Sequence, residues 1–355
     1  MLSRVGFRRF VGLDEHDAPE LLARMTKEDL PVDGERYGIA SRLIVRSGVA
    51  VVDLAVAAIE KLCSACSVSP QELGAVVLSS RICEVQESAA TVVDRLAANC
   101  EAYGLEQACS GFPAGTHLSA ELCTRMQRPV VLVTAEIISG SINWEPVAGD
   151  VHDHSRARGQ AAKLFGDGAA AVLLDRCEAG GAHRILDAWA GEVPDEDQLI
   201  QKMDVVDSTD PWGKIRPGAT TCISMPGRRG LLLVRRAPEI MATAIETSVE
   251  RARSAGLIGD HEQVTHVVPH QANALILTGL DKLLSDNRDP PKVWNCLEYT
   301  GNTVSASIPL AMAEVQDRLP AGALVAMPAV GAGGPGYRPD VLSIGCVLAR
   351  KNDSA

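Results

Sequence analysis

The 355-residue chain is 46% hydrophobic and 22% charged, with only 3% aromatic residues, proportions of a globular protein able to bury a sizeable core. A formal net charge of −11 argues against nucleic acid as a partner, because no broad basic stripe is available to neutralise phosphates, and it repels an acidic carrier protein at long range. No apolar run reaches the roughly 18 residues needed to cross a bilayer, and the opening ten residues contain no apolar signal core, so a cytoplasmic protein without a membrane partner is expected.

In chain order, periodicity predicts a helix over 52–66, a strand over 76–79, helices over 87–98 and 114–126, and strands over 130–134 and 169–174. A similar order returns: a helix over 237–255, a strand over 264–268, helices over 273–284 and 305–318, and strands over 324–329 and 341–348. Such alternation indicates an α/β layered protein. Each half closes on an apolar strand preceded by a Gly-rich loop, at 166–168 and 331–336, which hints at an internal duplication. Two long polar stretches, 139–160 and 193–229, interrupt the pattern, and loops longer than about 15 residues are usually functional.

Ten cysteines without a framework spacing read as reduced thiols. Cys63 and Cys66 form a C-x-x-C inside a predicted helix with no second pair to complete a zinc site, and His152-Asp153-His154 has no further ligand cluster in view, so no metal is assigned. Arg156, Arg158, Arg216, Arg228, Arg229, Arg235, Arg236 and Lys282 are candidates for a local basic patch.

Cys109 stands apart, in Ala108-Cys109-Ser110-Gly111-Phe112 just ahead of a predicted helix. A thiol there faces unpaired backbone N–H groups and the positive end of the helix dipole, which favours the nucleophilic thiolate. His270-Gln271-Ala272-Asn273 and Gly301-Asn302-Thr303 also sit close to predicted helix starts. Cys109, His270 and Asn302 together supply a thiol, a proton-handling imidazole and an amide donor. The separations are 161 residues from Cys109 to His270 and 32 more to Asn302.

With Phe165-Gly166-Asp167-Gly168-Ala169 and Gly331-Ala332-Gly333-Gly334, these segments resemble, in order and over nearly the whole chain, the ketoacyl-ACP synthase III branch of the thiolase superfamily. The resemblance implies a five-layered αβαβα fold made of two similar halves, 1–176 carrying the nucleophile and 177–355 carrying His270 and Asn302. It implies that Cys109 attacks an acyl thioester while its own N–H and that of Ala332 form the oxyanion hole. His270 and Asn302 would then hold the carbonyl of a malonyl-type thioester during decarboxylative Claisen condensation. No cofactor is implied; coenzyme A or acyl carrier thioesters are the substrates, and a homodimer is expected.

Several positions depart from the family pattern. The segment before Tyr37 lacks the Trp that stacks on adenine, Leu275 stands where a carrier-docking Arg is expected, and Gln86 replaces an apolar residue that reaches a partner's acyl pocket. Arg36 and Arg158 fall near coenzyme-A-contacting arginines, and Asn273 completes the substrate-binding candidates. The departures point to a specialised, polyketide-type pathway. A non-condensing acyltransferase to a hydroxyl or amine is the alternative reading, and a non-catalytic synthase subunit a third.

Overall fold

The computed structural model describes residues 4–26, 37–81, 84–141, 163–176, 182–195, 204–205, 221–222, 227–332 and 341–352. Its strands are β1 (Val5–Gly12), β2 (Leu22–Met25), β3 (Arg42–Val45), β4 (Ala75–Ser79), β5 (Glu101–Leu105), β6 (Val130–Glu136) and β7 (Gly168–Arg176). They continue with β8 (His183–Pro194), β9 (Asp204–Val205), β10 (Thr221–Cys222), β11 (His266–Val267), β12 (Lys292–Val293), β13 (Leu324–Ala332) and β14 (Val341–Lys351). The α-helices are α1 (Val51–Cys66), α2 (Val85–Arg95), α3 (Gly111–Met126), α4 (Gly227–Ser254), α5 (Ala274–Leu284) and α6 (Ser307–Val315).

Ten strands form one sheet in the order β12-β11-β13-β14-β8-β1-β7-β6-β4-β5. Outward from the middle, β1, β7 and β6 are successively antiparallel, and β4 and β5 continue parallel to β6. The same sequence of directions runs the other way through β8, β14, β13, β11 and β12. The chain is therefore two similar halves, as the sequence suggests, joined where Gly6 faces Arg184 and Phe7 faces His183.

Alternation along the strands builds the layers. In β6, Val130 and Leu132 face the middle of the molecule while Val131 and Val133 face outward. In β13, Val325 and Met327 face the middle and Leu324 and Ala326 face outward. Helices α1 and α2 cover the outer face of the first half, and α4 and α5 that of the second. Between the two halves of the sheet lie α3 and α6. Helix α3 touches β4, β6 and β7 on one side and β8, β13 and β14 on the other, so it carries small residues and buries Phe112 completely against Phe7 and Phe10.

Several expected boundaries move. Helix α3 begins at Gly111 rather than 114, with Pro113 in its first turn, where no intrahelical N–H is required. Helix α4 begins ten residues earlier than periodicity suggests and carries Pro238 in its interior. The expected helix over 305–318 divides into a 3-10 turn at Val304–Ala306, α6, and a second 3-10 turn at Gln316–Arg318.

Candidate active site

Cys109 is the middle residue of a 3-10 turn, Ala108–Ser110, that runs straight into α3. Ala108 has φ +41°, a left-handed conformation that few non-glycine residues adopt, and the turn leaves Cys109 half-buried. Near the end of β13, Gly331 packs on it. A Cβ at Gly331 would lie 2.6 Å from Cys109 Cβ and 3.1 Å from its sulfur, so close approach requires glycine here. Ala332 is the next residue along the strand, at its end.

The same strand holds His270. The His270 N–H donates to Pro328 O at 2.9 Å, three residues before Gly331, or about 10 Å at the usual strand rise. His270 Nδ1 lies 2.6 Å from Ser307 Oγ, and that oxygen accepts the Gln271 N–H at 3.3 Å. Donation of the Ser307 hydroxyl proton to Nδ1 would place the ring proton on Nε2. Burial lowers the imidazole pKa to about 4, so the ring is neutral at physiological pH. Gln271 anchors the segment by donating to Pro269 O and Trp294 O and accepting the Cys296 N–H.

Asn302 is held by backbone and side chain together. Its N–H donates to Leu164 O at 2.8 Å and its carbonyl accepts the Gly166 N–H at 3.1 Å. Oδ1 accepts the Val304 N–H at 2.9 Å, which leaves Nδ2 as the donor end of the amide. The Gly-rich segment beside it is tied to its neighbours through Asp167. The buried Asp167 carboxylate accepts from the backbone N–H groups of Val45, Ile138 and Ser139 and from Ser139 Oγ. A Cβ on Gly166 would collide with Thr300 O, so that loop is a close-packing turn.

These contacts gather Cys109, Gly331 with Ala332, His270 and Asn302 at one end of the central layers. The 3-10 turn of Cys109 touches both β13 and the turn after Asn302. Asn273 is engaged differently: its Oδ1 caps α5 by accepting the Ile276 N–H at 3.0 Å. Gln86 lies on α2 and grips β5, donating to Ala102 O at 3.0 Å and accepting the Gly104 N–H at 2.7 Å. Leu275 is exposed on α5. Arg36, Arg158 and His152-Asp153-His154 lie outside the described residues. Cys63 and Cys66 are buried on α1, and burial pushes the Cys63 thiol up to about 11. Sequence reasoning gave no role to Ser307, which hydrogen-bonds His270 Nδ1; its place two residues after Ser305 in a Ser-rich helix start was the only signal.

A model of 3-oxoacyl-[acyl-carrier-protein] synthase III matches residues 103–192, and a model of the C-terminal part of that family matches 258–336. The β-ketoacyl-[acyl-carrier-protein] synthase III of Ruegeria pomeroyi is 29% identical over 304 residues, 84% of this chain and 85% of that protein. Among solved structures, the 3-oxoacyl-[acyl-carrier-protein] synthase III of Aquifex aeolicus aligns with TM-score 0.69 at 24% identity, covering 98% of this chain and 99% of that one. OleA of Xanthomonas campestris with bound lauric acid and lauroyl-CoA aligns with TM-score 0.73 at 18% identity, covering 99% of this chain and 100% of that one. The duplicated five-layered fold, the motifs at Cys109, His270 and Asn302, and these likenesses together support a ketoacyl-ACP synthase III-like member of the thiolase superfamily.

Proposed function

We propose that the protein forms an acyl-enzyme on Cys109 and condenses it with the enolate of a malonyl-type thioester. The Cys109 thiolate attacks the acyl carbonyl and expels the carrier thiol, while the backbone N–H groups of Cys109 and Ala332 stabilise the oxyanion. A second thioester then loses CO2, and the electron pair left behind becomes an enolate. His270 Nε2–H and Asn302 Nδ2–H hold its oxygen. Its carbon attacks the acyl group, the C–S bond to Cys109 breaks, and the thiolate is restored.

The observation that carries this reading is the orientation of the two donors. Ser307 Oγ hydrogen-bonds His270 Nδ1 and the Val304 N–H takes Asn302 Oδ1; with the Ser307 proton on Nδ1, both side chains offer N–H. Paired neutral donors suit an enolate oxygen, whereas transfer to a hydroxyl would call for an imidazole nitrogen able to accept a proton. This weighs against the non-condensing acyltransferase. The exposed Leu275 and the missing Trp before Tyr37 support a specialised polyketide-type pathway, with acyl-CoA or an acyl carrier protein as donor to a cytoplasmic homodimer.

The test separates the half-reactions. His270→Ala and Asn302→Ala should retain Cys109 acylation, read by intact mass, and lose about 100- to 1000-fold in CO2 release from malonyl thioesters. Acyl mass retained after Cys109→Ala would reject the nucleophile. Wild-type protein that acylates readily, releases no CO2 and acylates an alcohol or amine would put the acyltransferase in place of condensation.

A further inference from the structure

The duplication relates Cys109 to Ser305. Each is the middle residue of a three-residue 3-10 turn leading directly into the central helix of its half, α3 or α6. Each follows a left-handed residue, Ala108 at φ +41° and Val304 at φ +51°. A β-branched residue in that region is strained, and surrounding contacts must hold it there. Cys109 meets Gly331 near the end of β13; Ser305 meets Glu136 at the end of the corresponding strand, β6.

Glu136 and Ser305 are each 1% exposed. Ser305 Oγ donates to Glu136 Oε1 at 2.5 Å and the Arg81 N–H donates to Oε2 at 3.2 Å. The mechanism above uses neither residue. A Cβ on Gly111, two residues after Cys109, would come within 2.9 Å of Ser305 Cβ and overlap Ser79 Oγ, so the pair lies directly beneath the nucleophile turn. Burial raises the Glu136 pKa to about 7, with the Ser305 hydrogen bond opposing that rise. Both of its partners are donors, and the carboxylate is the form that satisfies them.

We propose that Glu136 and Ser305 form a clamp that positions the Asn302 amide for the second half-reaction, Glu136 acting as a positioning residue through Ser305. Ser305 pins the strained turn whose Val304 N–H orients Asn302 Oδ1. The half that lacks the nucleophile has kept the nucleophile's turn, with a hydroxyl and a buried carboxylate in place of thiol and glycine.

The inference rests on the functional reading above and is tested in the full chain with Ser305→Ala and Glu136→Gln, each alone and combined with Asn302→Ala. Cys109 acylation is timed by intact mass, and kcat and KM are measured for CO2 release from a malonyl thioester. The expected result is unchanged acylation, a fall of about 10- to 100-fold in kcat with little change in KM, and no further fall in the Asn302→Ala background. Equal losses in acylation and CO2 release, or losses that multiply with Asn302→Ala, would overturn the clamp. Should Ser305→Ala not fold, the nearly isosteric Glu136→Gln carries the same comparison. If wild type acylates but releases no CO2, the functional reading has failed, and the variants are scored on acyl transfer to the alcohol or amine. Acylation spared with transfer impaired through Asn302 upholds the clamp there, and any other pattern rejects it.

Discussion

Replacing a Gly331 hydrogen with a methyl group puts carbon 2.6 Å from Cys109 Cβ and 3.1 Å from its sulfur. Strand backbone accepts alanine, so Gly331→Ala should fold, and the strain falls on the position of the thiol. Misplacing a reacting group by about 1 Å can cost on the order of 100-fold. Acylation of Cys109 is expected to slow by that order with little change in melting temperature, as read by intact mass and thermal unfolding; acylation at the wild-type rate would show that the turn yields without consequence. The residue types of this site were legible in the sequence because thiol, imidazole and amide carry their chemistry in their names. Ser307 and Glu136 were not. A serine among serines and a glutamate ending an apolar strand acquire meaning only when a partner 37 or 169 residues away comes within hydrogen-bond reach.

Strand β5 is one edge of the ten-stranded sheet, and the Gln86 side chain occupies its outward-facing Ala102 O and Gly104 N, much as a neighbouring strand would. Gln86→Phe removes both exposed hydrogen bonds at a cost of about 1–3 kcal/mol and should leave the fold intact. If the position also lines a partner's pocket, acyl preference shifts toward apolar groups; an unchanged ranking of short, polar and long acyl donors would count against that role. Elements with long apolar runs, such as β6, β7 and β13, were readable from periodicity, whereas β1, β5 and β8 were not. Arg8 and Arg9 interrupt β1 next to its register shift, β5 is short and contains Gly104, and β8 is half-exposed in its second part. Periodicity placed the start of α4 at 237, next to Pro238, but the helix continues through the proline because α5 brings Gly279 against its ring and packing outweighs the lost hydrogen bond.

Where the two halves of the sheet meet, His183 is completely buried with neither ring nitrogen partnered among the described residues, and Phe10 lies edge-on to it. Burial, followed by the charge of Lys351, lowers its pKa from 6.5 to about 3, with Asp317 opposing. A folded value below the unfolded one means that this contribution to stability is complete above pH 6.5 and is lost as pH falls from 6.5 through 3. Between pH 7 and 5 the loss is about 2 kcal/mol. His270 acts in the same sense, and Glu136, raised to about 7, in the opposite one, so the informative quantity is the difference between wild type and His183→Leu. The variant should lose about 2 kcal/mol less on acidification in denaturant melts at the two pH values; parallel losses would show that the ring finds a proton-stabilising partner. The seam beside His183 pairs only Gly6 with Arg184 and Phe7 with His183, and the thiol lies on one side of it and both side-chain donors on the other. In hereditary terms, a single recombination event between residues 176 and 183 would reassort the half that carries Cys109 from the half that carries His270 and Asn302. It would yield a foldable chimera wherever Phe7, Phe10 and Phe112 still met a surface shaped like Met327 and Val347.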